Sequence, residues 1–183
     1  MLDFNQNYFS LFGLPEQFAL DSSKLATAFR ELQAQYHPDK FVNADDKERR
    51  IAVQSTGFIN EAHEALKSPR LRARYLLTLK GVEFDDEIDT TSDGMFLMQQ
   101  MEMREALEDA QNSSDDPEEA LDAVEKVAKE VKSLSQTLQG EFETGYDNSD
   151  LPAAKEAVLK MKFFERLSNE VKTLSEKLED EMF

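Results

Sequence analysis

The chain of 183 residues contains no cysteine, which excludes a disulfide framework, thiolate zinc sites and cysteine nucleophiles together. Its two histidines, His37 and His63, are too few for a metal centre built on histidine. No apolar run approaches the roughly 18 residues that a membrane span needs, and the opening stretch MLDFNQNYF lacks the basic and apolar regions of a signal peptide. We therefore expect a cytoplasmic protein that binds no metal, no cofactor and no membrane.

Basic residues are scarce in the second half of the chain. Residues 1–80 contain 11 Lys and Arg against 10 Asp and Glu, whereas residues 81–183 contain 10 against 28. Binding to nucleic acid depends largely on basic groups that release counterions from the phosphates, so the acidic half argues against a nucleic-acid partner. The two halves are expected to have different tasks.

Glycine and proline are also scarce, with six and five residues, and most of them lie where helices would begin or end. The sequence therefore predicts an all-α fold. Its first half contains a short helix near residues 8–12, a helix that starts after Asp21, a third over about 44–67 and a fourth that opens at Pro69. The second helix has an apolar stripe at helical spacing, formed by Leu25, Phe29, Leu32 and Tyr36.

The stretch from Gly81 to Asp93, GVEFDDEIDTTSD, has no helical period and is rich in acidic and capping residues. We interpret residues 78–93 as a linker between a first domain over residues 1–77 and a second over residues 94–183. The second domain contains three long predicted helices, each with one apolar stripe. This pattern predicts a small antiparallel three-helix bundle.

The stretch QYHPDKF, residues 35–41, places His37, Pro38 and Asp39 where the second helix ends. Pro38 disfavours helical backbone at His37 and has no N–H to donate, so these three residues are expected to form a turn. His37 and Asp39 could be a catalytic base and its orienting partner, a pair of metal ligands, or a polar turn that caps a helix end. The neighbouring residues supply neither a nucleophile nor a concave site, which disfavours the catalytic interpretation.

Further motifs surround this turn in a fixed order. YFSLFGLP lies at the start of the chain, and INEAHEALKSPRLRARY follows the turn. Over residues 1–77 this arrangement resembles a J-domain, which implies that the turn is not catalytic but docks on a heat-shock seventy-class chaperone and stimulates its ATP hydrolysis. The implied chaperone-binding set comprises the turn and three basic residues: His37, Pro38, Asp39, Lys40, Arg30 and Lys24.

The basic contact surface has a second interpretation. On a helical wheel Glu31 lies between Lys24 and Arg30, so a continuous basic patch is not assured and both residues could be ordinary solvated charges. Asp39 differs, because a charged residue on an exposed turn beside a fixed proline is well placed for a charge-assisted contact.

The second half has neither a Gly/Phe-rich linker nor a cysteine-rich zinc region, although many J-domain proteins continue into both. Instead it carries FLMQQMEMREAL and KMKFFERL. With these stretches the full chain resembles the bacterial form of the iron–sulfur co-chaperone family HscB. The resemblance implies two partners, a dedicated chaperone ATPase of the HscA type and an iron–sulfur scaffold protein of the IscU type.

The first helix of the second half carries more apolar surface than one stripe requires. On a helical wheel Phe96, Met103, Leu107 and Ala110 face one direction, which is sufficient to face a core. A second face of this helix combines apolar and acidic residues. Together with Phe163, which lies at the edge of the core stripe of the last helix, it forms an acidic–apolar face with the members Leu97, Met98, Met101, Glu102, Glu105, Asp109 and Phe163. This acidic–apolar face is either buried against the J-domain or the linker, or it binds the scaffold partner.

We therefore interpret the chain as a co-chaperone that has no active site of its own and brings an iron–sulfur scaffold to an ATP-driven chaperone, assisting cluster assembly or transfer. One alternative is a general J-protein that presents unfolded clients to a chaperone. The other is a hydrolase that uses His37 and Asp39, and a turnover assay on the isolated protein would distinguish it from an adaptor.

Overall fold

The computed structural model describes residues 2–85, 89–112 and 117–181. The chain divides into two compact units, Met1–Gly81 and Val82–Phe183. All the regular secondary structure within the described residues is helical, so the predicted all-α fold is confirmed. The helices of the first unit are α1 (Tyr8–Leu11), α2 (Ser22–Tyr36), a 3₁₀ turn (Pro38–Phe41), α3 (Asp46–Lys67) and α4 (Pro69–Leu79). Those of the second unit are α5 (Gly94–Asn112), α6 (Pro117–Asp147) and α7 (Leu151–Glu181).

Side-chain caps determine where the helices of the first unit begin. The Asp21 side chain accepts hydrogen bonds from the N–H groups of Ser23 and Lys24, at 3.0 and 3.1 Å, and so starts α2. Asp45 caps α3 in the same way, which places the start of this helix at Asp46, two residues later than the sequence predicted. None of the helices in the described part of the chain has the length and apolar character that crossing a membrane requires.

The core of the first unit lies mainly between α3 and the helices on either side of it. Ile59, Ala62 and Leu66 of α3 are fully buried, and α2 contributes Leu25. The other members of the predicted α2 stripe are only partly buried. Phe29 among them stacks on the ring of His63, with 3.8 Å between the ring centroids, so this histidine packs between α2 and α3.

The second unit is built around the long antiparallel pair α6 and α7, against which α5 packs. Ser149, in a left-handed conformation, and Asp150, which caps α7, make the turn between them. Gly145 is buried near this turn, where a Cβ atom would lie 3.0 Å from the backbone nitrogen of Ala154. The absence of a side chain therefore allows the end of α6 to approach the start of α7 closely.

The segment that the sequence predicts as a linker is not a free connection over its described residues, because part of it belongs to α4 and part of it contacts α7. Thr78 and Leu79 belong to α4, and the described residues from 82 onward belong to the second unit. Lys155 of α7 donates hydrogen bonds to the Glu83 carbonyl oxygen at 3.0 Å, and its Nζ lies 2.8 Å from a carboxylate oxygen of Asp89. Residues 86–88 of the predicted linker lie outside the described residues.

Candidate interaction sites

The first candidate site is the turn formed by His37, Pro38 and Asp39, here called the HPD turn. It begins where α2 ends, and His37 has an extended conformation with φ −58° and ψ 128°. The Thr56 hydroxyl of α3 donates to the Tyr36 carbonyl oxygen at 3.1 Å and so fixes the last residue of α2 to α3. The turn is therefore held by both long helices of the first unit.

Local hydrogen bonds shape the HPD turn. The Lys40 N–H donates to the His37 carbonyl oxygen at 3.0 Å, and the Asp39 N–H donates to His37 Nδ1 at 3.3 Å. The Asp39 carboxylate lies 3.6 Å from the same nitrogen, and the two side chains are 55 % and 86 % exposed.

This exposure bears on the chemistry of the turn. A catalytic His–Asp pair works in a site that excludes water and places a nucleophile within hydrogen-bond reach, whereas His37 and Asp39 lie open to solvent. Among the residues that the structure describes, no group of three or more His, Asp or Glu side chains is placed to hold a metal ion. The geometry of the turn suits a contact with another macromolecule.

The three basic residues predicted to bind the chaperone lie at different distances along the chain from the end of α2. At 1.5 Å of rise per residue, Lys24 lies about 18 Å along the axis from the end of α2 and Arg30 about 9 Å. Lys24 forms a weak exposed pair with Asp21 at 3.8 Å, and Arg30 folds back to donate to the Ala26 carbonyl oxygen at 3.2 Å. Of the three predicted basic residues, only Lys40 lies directly beside the turn, and it is exposed.

The second candidate site lies on α5, whose start is fixed by Asp93. One carboxylate oxygen of Asp93 accepts from the N–H groups of Met95 and Phe96, both at 3.1 Å, and the other lies 2.7 Å from Lys160 Nζ of α7. The hydrogen bond from Lys160 and the bonds from the α5 backbone lower the pKa of Asp93 below its usual value. This ion pair therefore positions α5 on α7 while the carboxylate is charged.

The lowered pKa of Asp93 predicts a loss of stability in acid. A group whose pKa is depressed by folding contributes stability above its unfolded pKa, and this contribution disappears as the pH falls through the folded value. Asp93→Asn should lower the melting temperature at pH 7, and the difference from the parent should shrink as the pH falls below the ordinary aspartate pKa of about 3.9 and through the lower folded value. Glu102→Gln, an exposed change on the same helix, should show no such convergence. Parallel melting curves without convergence would contradict the role of this ion pair.

The acidic–apolar face of α5 is exposed in the structure. Leu97, Met98 and Met101 are 37 %, 60 % and 63 % exposed, whereas the residues that the sequence assigned to the core, Phe96, Met103, Leu107 and Ala110, are all buried. The acidic members of the face, Glu102, Glu105 and Asp109, are exposed beside them. Leu97, Met98 and Met101 are therefore not core residues of the helical bundle.

Phe163, which the sequence assigned to the same face, lies on α7 and contacts α5. Its ring meets the edge of Phe96 with 5.7 Å between centroids, and Phe96 in turn contacts Phe164 at 5.5 Å. Phe164 is buried and Phe163 is half-buried, as the helical wheel predicts. Phe163 therefore lies at the edge of the core, where one side of its ring is available to a partner.

The sequence missed two features of α5. Met95, immediately before the predicted face, is 84 % exposed, and it lines a surface groove of about 580 Å³ between α5 and α6 together with Met98 and Leu134. Its position three residues before Met98 is the signal that could have revealed it. Gln100 is buried although its side chain is polar. On the helical wheel it lies close to Phe96, which indicates the core side of α5, but a polar side chain is not expected in a core.

Comparisons with known proteins cover both units. Residues 7–75 match the family model of the DnaJ domain, and residues 92–172 match that of the HSCB C-terminal oligomerisation domain. The co-chaperone protein HscB homolog of Vibrio atlanticus strain LGP32 is 47 % identical over 94 % of this chain and 98 % of its own. That of Vibrio cholerae strain El Tor Inaba N16961 is 45 % identical over the same shares.

Solved structures agree with these matches. The chaperone HscB from Vibrio cholerae superposes with a TM-score of 0.84 at 39 % identity, covering 94 % of this chain and 99 % of that one. The human co-chaperone protein HscB superposes with a TM-score of 0.81 at 27 % identity, covering 94 % and 83 %. With an HPD turn in a DnaJ domain and a matching C-terminal helical domain, the chain belongs to the HscB family of J-domain co-chaperones.

Proposed function

We propose that the chain stimulates the ATPase of an HscA-type chaperone through the HPD turn and delivers an IscU-type iron–sulfur scaffold to it through the acidic–apolar face. The observation that carries this proposal is the placement of two exposed surfaces of different chemistry on two separate compact units. One surface is a small polar turn, and the other is an apolar strip with acidic neighbours. The domains proposed for these tasks are residues 1–77 and 94–183, joined by residues 78–93.

The chaperone contact is supported by the way the HPD turn is held. Thr56 fixes the end of α2, and the bonds within the turn fix His37 relative to Asp39 and Lys40. A turn that is already ordered loses little conformational entropy when it binds, which favours affinity from few contacts. The exposed Asp39 carboxylate can then accept charge-assisted hydrogen bonds from basic groups of the chaperone. Lys40 lies beside it, while Arg30 and Lys24 extend the proposed contact along α2.

The scaffold contact is supported by the composition of the acidic–apolar face. Methionine and aromatic side chains with charged neighbours are the composition expected of a protein-binding surface. The apolar members are Leu97, Met98, Met101 and Phe163, and the acidic members are Glu102, Glu105 and Asp109. A complementary partner carries an apolar patch with basic residues at its rim, because opposite charges steer the encounter and suppress wrong partners.

An adaptor of this kind needs no chemistry of its own. When one chain binds both partners, the scaffold is held near the chaperone at a high effective concentration. The chain is therefore proposed to act in the cytoplasm without a cofactor, as a binding protein and not as an enzyme. Iron–sulfur cluster assembly or transfer would be assisted by the chaperone that it recruits.

A reconstituted ATPase assay tests this proposal. The chain and an IscU-type scaffold should together raise the ATPase rate of an HscA-type chaperone more than the sum of their separate effects, and the chain alone should hydrolyse no ATP. Replacing the scaffold by a reduced, unfolded model protein distinguishes the general J-protein. Equal stimulation by unfolded clients, or turnover by the isolated chain, would contradict the proposed function.

A further inference from the structure

The exposed methionines of α5 form a ridge along the helix. Met95, Met98 and Met101 are three residues apart and are 84 %, 60 % and 63 % exposed, so their side chains follow one i±3 row. Met103 on the same helix and Met161 on α7 are only 4 % and 5 % exposed. The helix α5 therefore carries both exposed and buried thioethers within nine residues, Met95 to Met103.

The composition of the chain leaves methionine as its sulfur-containing target for oxidants. A cysteine thiolate would compete for peroxides, but the chain contains no cysteine. Methionine thioethers are oxidised to sulfoxides, and the reaction requires that the oxidant reach the sulfur atom. Exposure therefore ranks the ridge far above Met103 and Met161 as a target.

We propose that Met95, Met98 and Met101 are a site of reversible oxidation to methionine sulfoxide, and that oxidation there weakens binding of the scaffold partner. The thioether sulfur attacks one oxygen of hydrogen peroxide, the O–O bond breaks as the S–O bond forms, and the departing hydroxide takes the proton of the new S–OH group, which leaves the sulfoxide and water. The sulfur loses two electrons and the peroxide gains them. A sulfoxide reductase supplied with a dithiol reverses the step, giving the thioether, a disulfide and water.

The effect on binding follows from the position of the ridge, and this part rests on the proposed function. Met98 and Met101 belong to the acidic–apolar face, and Met95 lies at its edge. A sulfoxide replaces an apolar, deformable sulfur by a polar group that accepts hydrogen bonds. Burying it against an apolar patch leaves that acceptor unsatisfied, which costs affinity.

The modification site is tested on the full chain with hydrogen peroxide alone. Sulfoxide positions are mapped by fragment-ion mass spectrometry over a time course. Oxidation at Met95, Met98 and Met101 should proceed at least about tenfold faster than at Met103 and Met161, since only the first three are open to the oxidant. Comparable rates at Met103 or Met161 would overturn the site.

The consequence for binding is measured by titrating the scaffold against the chain before and after peroxide treatment. The oxidised chain should bind at least about tenfold more weakly, and the two sulfoxide reductases, one for each epimer of the sulfoxide, should together restore the affinity. The variant Met95→Leu, Met98→Leu, Met101→Leu is compared with its own untreated form, and peroxide should leave its affinity unchanged. Equal affinity of the oxidised and reduced parent would overturn the effect on binding. If the untreated parent does not bind the scaffold, the proposed function fails, while the order of oxidation along α5 still decides the modification site.

Discussion

Replacement of His37 by Gln, or of Asp39 by Asn, is expected to return the ATPase rate of the partner chaperone to its unstimulated value. Both side chains are exposed, and neither contributes to a core. The changes remove the imidazole and the carboxylate that the HPD turn presents, but they leave Pro38 and the anchoring bond from Thr56 in place. Stability should change by only about 0.5 kcal/mol or less, as for other surface sites.

This result is measured as chaperone ATPase rate against the concentration of each variant, together with a melting curve. Asp3→Asn makes the same chemical change at another exposed position and should stimulate like the parent. Scaffold affinity should be retained in the His37 and Asp39 variants, because the proposed scaffold contact belongs to the other unit. Full stimulation by either variant would mean that the HPD turn is only a helix connector.

Simultaneous truncation of Leu97, Met101 and Phe163 to alanine is expected to abolish tight scaffold binding while the protein remains folded. Each side chain that enters a desolvated contact contributes on the order of 1 to 2 kcal/mol, so the triple variant should lose affinity by a factor of hundreds or more, with allowance for non-additivity. Leu97 and Met101 are exposed in the free protein, and their removal creates no cavity. Loss of the edge contact between Phe163 and Phe96 should cost about 0.5 to 1.5 kcal/mol of stability.

Truncation of three core residues should have the opposite effect, which is a large loss of folding stability. Phe96, Leu107 and Phe164 are 8 %, 6 % and 2 % exposed, and each truncation to alanine should cost roughly 2 to 5 kcal/mol of folding stability. Melting temperature and scaffold affinity are measured for both triple variants. If the first variant melts far below the parent, its residues support the fold; if it melts and binds normally, the scaffold contact lies elsewhere on the protein.

The contribution of the acidic rim of the face to scaffold binding should depend on the salt concentration. Glu102 and Glu105 are exposed, and charges at a rim contribute mainly to steering. Neutralising them should weaken scaffold binding less than the apolar truncations do. The effect should be larger at low ionic strength, where exposed charges are screened less.

The helix boundaries near the HPD turn could be predicted from the sequence because their causes are local. Pro38 ends α2 through its own ring and missing N–H, and Asp21 starts α2 by bonding to N–H groups two and three residues away. The division of α5 into a buried and an exposed side followed from the period of 3.6 residues per turn, which any helix imposes on its sequence. The spaced motifs around His37 and Asp39 were sufficient to indicate the family.

Only the tertiary structure decided the features that join distant parts of the chain. The acidic segment before α5 has the composition of a free linker, yet Lys155 and Lys160 of α7 bind it at Glu83 and Asp93, across separations of 72 and 67 residues. The hydrophobic period of the sequence does not predict such pairs, because lysines at these positions are equally compatible with a solvated helix face. The half-buried position of Phe163 likewise depends on how closely α5 lies to α7, and the stacking of Phe29 on His63 depends on the approach of α2 to α3. Hydrophobic period fixes which side of a helix faces inward, whereas packing distances decide how much of each edge residue stays exposed.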